Sequence, residues 1–171
     1  MATLVLTVTG DDRPGVVSAL SAAINAHGGS WEMSQLSRLA DKFAGSVVVA
    51  VDDERVDALV ADLTALNSQG LQLAVERTDE PVERELIRLH LDLLGADRPG
   101  IVAEISAALA AHDVNIEELT TDVREAPMAG GTLFEAKAVL SAPPATNTEE
   151  VRSALEALAD ELMVEIRVSE G

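Results

Sequence analysis

The sequence predicts an α+β protein built from two domains in tandem, each with the element order βαββαβ. Three observations lead there. Residues 10–36 recur as residues 95–121. Within each copy, stretches of two-residue hydrophobic alternation and stretches of helical spacing succeed one another in the same order. Between the copies the pattern is broken by Asp79, Glu80 and Pro81. The first domain is therefore expected over residues 1–79, a linker over 80–84 and the second domain over 85–171.

Each element has its own signal. Leu4, Leu6 and Val8 alternate with Thr3, Thr7 and Thr9, which gives a strand one apolar face. Val16, Val17, Leu20, Ala23, Ile24 and His27 then recur at helical spacing, with Pro14 near the first turn and Gly28-Gly29 at the stop. A hairpin comes next over residues 31–39 and 43–51, turning at Ala40-Asp41-Lys42. A second helix carries Val56, Leu59, Val60, Leu63 and Leu66 on one face, and Leu71, Leu73 and Val75 close the unit as a strand.

The second copy opens with Ile87, Leu89, Leu91 and Leu93 alternating with Arg88, His90 and Asp92. Leu20, Ile24 and His27 reappear as Ile105, Leu109 and His112. A longer turn over residues 126–131 puts Phe134 in the place of Phe43. Val151, Ala154, Leu155 and Leu158 mark the second helix, and residues 163–168 the last strand. Helices joining strands in this order lie on one face of an antiparallel four-stranded sheet, the ferredoxin-like arrangement, and leave the other face and the edge strands to be covered or made polar.

Hydrophobic residues make up 47% of the 171 residues and charged ones 25%, enough apolar surface to close a core. With two Phe, one Trp and no Tyr, that core consists of Val, Leu, Ile and Ala. The 30 acidic and 12 basic residues give a net charge of -18, which repels phosphate backbones and anionic lipid surfaces, so no direct nucleic-acid partner and no membrane partner are expected. The longest apolar stretches, residues 4–8 and 47–51, are too short to span a bilayer. No basic segment precedes the first apolar run and no small-residue cleavage site comes after it, so the expected location is cytoplasmic. The absence of cysteine removes disulfides, thiolate nucleophiles and Cys-based metal sites. No two histidines stand at metal spacing and no Ser-His-Asp set is legible, so no catalytic residue, metal or cofactor is expected.

A ferredoxin-like fold hosts unrelated functions, and the residues must choose between them. An RNA-binding sheet needs exposed aromatics and a basic surface, neither of which is present. A copper carrier needs a Cys pair in the first loop, and the acylphosphatase-like loop G-x-V-Q-G-V is absent. Instead, the first strand of each copy leads into Asp12-Arg13-Pro14-Gly15 or Asp97-Arg98-Pro99-Gly100. Proline presets φ at a helix start, glycine permits close approach, and the first helical N–H groups lack intrahelical acceptors. A ligand carboxylate would meet those donors and the positive end of the helix dipole, worth ~0.3 to 1 kcal/mol. Asp12 or Asp97 could meet an ammonium group, so a zwitterionic amino acid suits the loop better than a phosphate. The same aspartates also read as ordinary helix N-caps, and Arg13 and Arg98 as their solvated partners. His27 and His112 read as capping or packing residues, His90 as a polar-face residue and Trp31 as packing.

At these residues the chain resembles the ACT domain family over nearly its whole length. The most specific parts are Gly95-Ala96-Asp97-Arg98-Pro99-Gly100-Ile101-Val102 and His112-Asp113-Val114-Asn115-Ile116, whereas the first copy reads His27-Gly28-Gly29-Ser30-Trp31. The two-copy layout without an attached enzyme is similar to that of the glycine cleavage system transcriptional repressor family. The resemblance implies amino-acid binding at an interface between ACT domains. It assigns ligand contacts to Asp97, Arg98, Pro99, Gly100 and Asn115, and to Asp12, Arg13, Pro14 and Gly15. An amide both donates to a carboxylate and accepts from an ammonium group, whereas the hydroxyl of Ser30 reaches less far, so the second copy is the better binder.

The expected function is that of a non-enzymatic regulator. It would bind an amino acid such as glycine or serine, act as a homodimer, and affect transcription through a protein partner. Two alternatives stand beside it: a ligand-free pairing module, and a small acyl- or phosphoryl-transfer enzyme using Arg98 and Asn115.

Overall fold

Alternation along Leu4, Leu6 and Val8 buries one face of β1 (Ala2–Asp11) and leaves Thr3, Val5, Thr7 and Thr9 on the other. β1 pairs antiparallel with β3 (Lys42–Val51) on one side and β4 (Leu71–Thr78) on the other, and β2 (Ser30–Leu39) flanks β3, giving the order β2-β3-β1-β4. Helices α1 (Val16–Ala26) and α2 (Val56–Ala65) bury Val16, Leu20, Ile24, Leu59 and Leu63 in the cluster that holds Leu4, Leu6 and Val8. Each fully buried leucine contributes about 1.5 to 3 kcal/mol relative to exposure. Trp31 packs against this core, as the packing reading expected.

This computed structural model describes residues 1–79, 82–128 and 130–171 and divides into two units, Met1–Val82 and Glu83–Gly171. Glu80 and Pro81 of the expected linker, and Ala129 of the expected longer turn, lie outside the described residues. The second unit repeats the first: β5 (Ile87–Ala96), α3 (Ile101–Ala111), β6 (Asn115–Glu125), β7 (Thr132–Ala142), α4 (Thr148–Leu162) and β8 (Val164–Glu170), with strand order β6-β7-β5-β8. Phe134 stands opposite Gly95 as Phe43 stands opposite Gly10. Even the irregularities repeat, because β2 slips register between Trp31 and Met33 and β6 between Ile116 and Glu118.

Three local expectations are corrected. The first hairpin turns on Ala40 and Asp41, with Lys42 already paired to Leu39. Met163 is not in the last strand but ends α4 at φ 56 and is 83% exposed, because the chain must reverse sharply before Val164. Val17, placed on the apolar stripe of α1, is 46% exposed, and its repeat Val102 is 41% exposed.

The helix stops differ in an instructive way. After α1, Gly28 donates to the carbonyl of Asn25 and Gly29 to that of Ile24, with Gly28 at φ 67. After α3, Asp113 and Val114 make the equivalent bonds to Ala110 and Leu109, so Asp113 sits at φ 56 where the first copy has glycine. Replacing Asp113 by glycine should therefore stabilise the second unit by about 1 kcal/mol, measured by urea unfolding. Gly95→Ala should do the reverse by ~1 to 3 kcal/mol, because a Cβ there would lie 2.4 Å from Val164 Cγ1.

Candidate functional site

The loops at residues 12–15 and 97–100 carry β1 into α1 and β5 into α3, and all of their residues are exposed. Each is tethered at its entrance: the Asp12 amide donates to the Asp41 carbonyl at 3.2 Å and the Asp97 amide to the Thr132 carbonyl at 2.9 Å. Each reaches its helix through a glycine in the left-handed region, Gly15 at φ 94 and Gly100 at φ 93, with nothing within 4 Å of the position a Cβ would take. Glycine is needed for backbone conformation, and the space beside it is open.

The first intrahelical bonds run from Ala19 to Gly15 at 2.9 Å and from Glu104 to Gly100 at 3.0 Å. Among the described residues no side chain caps either start, and the N-cap positions are Gly15 and Gly100, so Asp12 and Asp97 are not N-caps. By contrast, Asn147 Oδ1 accepts from the amides of Glu149 and Glu150 at 3.2 and 3.4 Å, which is how a capped helix of this chain looks. The donors at the starts of α1 and α3 thus face the loops with no side chain to satisfy them.

The two loops are not electrostatically alike. Arg13 donates to the Gln69 carbonyl, and Asp12 lies 3.8 Å from Arg38. Lys42 hydrogen-bonds Asp11, and that bond and its charge hold the Asp11 carboxyl below its ordinary value while raising the lysine. In the second loop Arg98 lies 3.5 Å from Glu104, on the first turn of α3, and Asp97 makes no ion pair among the described residues. Asp97 is therefore open to an ammonium group in a way that Asp12 is not.

Asn115 is exposed and opens β6 opposite Ser141, which in turn faces Arg88. The 97–100 loop leaves from the other end of β5, where Ala96 faces Leu133. At roughly 3.3 Å per residue this separates Asn115 from the loop by about 25 Å. One unit does not bring together the residues that the sequence assigned to one site. Ser30, opposite Ala50 at the start of β2, is separated from the 12–15 loop in the same way.

Sequence reasoning missed an apolar strip beside α3. Val102, Leu119 and Val123 are each two-fifths or more exposed, and Val102 and Leu119 line a shallow groove with Ile101, Ile105 and Phe134. β6 stands at the edge of its sheet, so this strip runs along a boundary where another strand can add. A valine repeated at the same place in both copies, Val17 and Val102, next to the first buried residue of each helix, was the available signal. His27 Nε2 lies 2.6 Å from Asp62 Oδ2, joining α1 to α2 in a packing role, and His90 is exposed on β5. Among the described residues no group of side chains could hold a metal ion, and no helix is long and apolar enough to cross a membrane.

A family model described as the ACT domain matches residues 2–76 and again 88–169. The glycine cleavage system transcriptional repressor of Escherichia coli K12 is 23% identical over 163 residues, covering 93% of this chain and 85% of that protein. The crystal structure of an unknown protein from Galdieria sulphuraria superimposes with a TM-score of 0.88 at 30% identity, over 99% of this chain and 98% of that one. A protein provisionally assigned as a glycine cleavage system transcriptional repressor superimposes with a TM-score of 0.70 at 16% identity, over 99% and 97%, a likeness of fold.

The loop geometry makes two outcomes measurable. Gly100→Ala should cost about 1 to 2 kcal/mol in urea unfolding through backbone conformation alone, since there is no clash. The depressed Asp11 stabilises the fold above its unfolded value of 3.8 and loses that effect as pH falls through its folded value; the raised Lys42 acts below 10.5 and loses its effect as pH rises through its own. Lys42→Met should return the Asp11 titration, followed by carboxyl NMR, to the ordinary range.

Proposed function

The chain belongs to the ACT domain family, with one copy in each unit, and we propose that it is a regulatory protein that binds a small zwitterionic amino acid between ACT domains of two chain copies. The observation that carries this reading is the separation of Asn115 from the 97–100 loop. Strand β6 is an edge strand with Asn115 at its start and Glu125, paired to Thr132 near the loop, at its end. Antiparallel pairing of β6 with β6 of a second copy sets the start of one strand beside the end of the other. That arrangement brings Asn115 of one copy to the end of the sheet where the other copy's 97–100 loop emerges. It also covers the strip of Val102, Leu119 and Val123.

The chemistry of the two halves is complementary. The uncapped start of α3 offers N–H donors and a positive dipole end to a carboxylate, and Asp97 accepts from the ammonium group. Asn115 from the second copy both donates and accepts. Glycine and serine are the amino acids this small polar site suits, because neither brings a large apolar side chain.

Signalling runs through protein contacts. The likeness to the glycine cleavage system transcriptional repressor supports a role in transcription. A surface of net charge -18 disfavours gripping DNA directly, so a protein partner carries the effect, and the chain has no turnover activity of its own.

A thermal-shift panel of amino acids at about 100 times Kd should stabilise by ~2.7 kcal/mol for the true ligand. Asn115→Ala and Asp97→Ala should each abolish the shift, and Ser30→Ala should leave most of it. Mixing the two silent variants gives the sharper test, because a mixed dimer keeps one intact site formed by Asn115 of one chain and the 97–100 loop of the other. Recovery of binding up to a quarter of the wild-type capacity in calorimetry is expected. No recovery after subunit exchange would place the site within one chain.

A further inference from the structure

The two units share strand order and register, yet the sheet faces turned away from the helices differ in kind. Across the centre of the first sheet stand Gln35, Ser46, Thr7 and Ala74, and across the same row of the second stand Thr120, Lys137, Asp92 and Arg167. The next row is Ser37, Ala44, Thr9 and Gln72 in the first unit and Asp122, Glu135, Leu94 and Glu165 in the second. On the other side of the centre, Met33, Val48 and Val5 in the first unit face the same way as Glu118, Val139 and His90 in the second. Glu76, on the edge strand β4, is the one charged group in these three rows of the first unit. Thr7, Ser46 and Ala74 are exposed, and Met33 is 70% exposed.

A quarter of this chain is charged and its net charge is -18, so three nearly uncharged rows, bounded at one end by the ion-paired Asp11 and Lys42, call for a physical reason. We propose that this face of the first unit is where two copies of the chain associate, sheet against sheet. Charge decides in favour of a second copy. A two-fold contact sets each patch against itself, so any net charge in the patch is repelled by its own image. The first unit's three rows carry only Glu76, whereas the same rows of the second unit carry Asp92, Glu118, Asp122, Glu135 and Glu165 against Lys137 and Arg167, a net negative patch.

The side chains are also self-complementary. Thr7, Thr9, Ser37 and Ser46 hydroxyls each donate and accept, so a patch meeting its own copy can satisfy its polar groups. Ala44, Ala74 and Val5 are small or flat enough for sheets to approach to about 10 Å. Each facing residue covers about 4.8 by 6.8 Å, so the twelve residues of these three rows give about 400 Å² per copy and about 800 Å² in all, the size of a small, transient contact. Association through this face is therefore weak and reversible. It uses a different surface from the β6 edge and the amino-acid site.

The chain has no cysteine, so Thr7→Cys and Asp92→Cys each supply a single thiol at equivalent places in the two units. With a short bismaleimide at tens of micromolar protein, Thr7→Cys should give cross-linked dimers at least tenfold faster than Asp92→Cys. Adding Ser46→Asp to Thr7→Cys should abolish that excess, while circular dichroism stays unchanged. Sedimentation of the wild type should show association that 0.5 M salt does not weaken, since the face is neutral. Equal cross-linking of the two single-cysteine chains would overturn the proposal. So would an intrachain cross-link in the double variant Thr7→Cys/Asp92→Cys, which would mean that the chain's own second unit covers the face. The Asn115 and Asp97 variants should cross-link like the wild-type background, so failure of the amino-acid site and failure of this contact are read separately.

Discussion

The register of β7 between β5 and β6 is the constraint on which the proposed site depends. Because Arg88, Ser141 and Asn115 form one row at one end of the sheet, and Ala96 and Leu133 meet at the other, the helix start and the amide are fixed far apart. Side-chain rotation cannot close about 25 Å. A ligand the size of an amino acid touches both only if a second domain supplies one of them. Binding and domain pairing are then one event, and a ligand that ties two chains together shifts their association by its own binding free energy. Under the proposed function, that would be a direct physical route from an amino-acid concentration to a change in which protein surfaces are exposed.

The helix start supplies the other half of the chemistry. Gly100 turns the chain at φ 93 so that α3 begins without a side-chain cap, although α4 shows that this chain can cap a helix with Asn147. Those N–H groups have no side-chain acceptor among the described residues, and in the proposed site a ligand carboxylate would take that place. The first copy shares the uncapped start but ties Arg13 to Gln69 and sets Asp12 near Arg38. The two loops, nearly identical as sequence, differ through partners that lie far away along the chain.

The fold was legible because its signals were local and repeated. Leu4, Leu6 and Val8 and their counterparts Leu89, Leu91 and Leu93 alternate cleanly, and the first run of helical spacing ends at Gly28-Gly29. Met163 was not legible, because a non-glycine residue in the left-handed region gives no compositional cue. Val17 and Val102 obey helical spacing yet lie off the core, since spacing reports a face without saying how far it is covered. The loop residues of the site were visible as motifs. Their separation from Asn115 was not, because distance across a sheet depends on register, which motifs do not encode.

Duplication has let the two copies diverge where the fold does not hold them. Their cores and strand irregularities match, while the residues at the helix stops, the outer sheet faces and the residues around the loops differ. The most direct measurement is a crystal structure with glycine or serine bound. The ligand should lie between the 97–100 loop of one chain and Asn115 of another, its carboxylate on the amides that open α3. A ligand held within a single chain, or bound away from that helix start, would contradict the two-domain site.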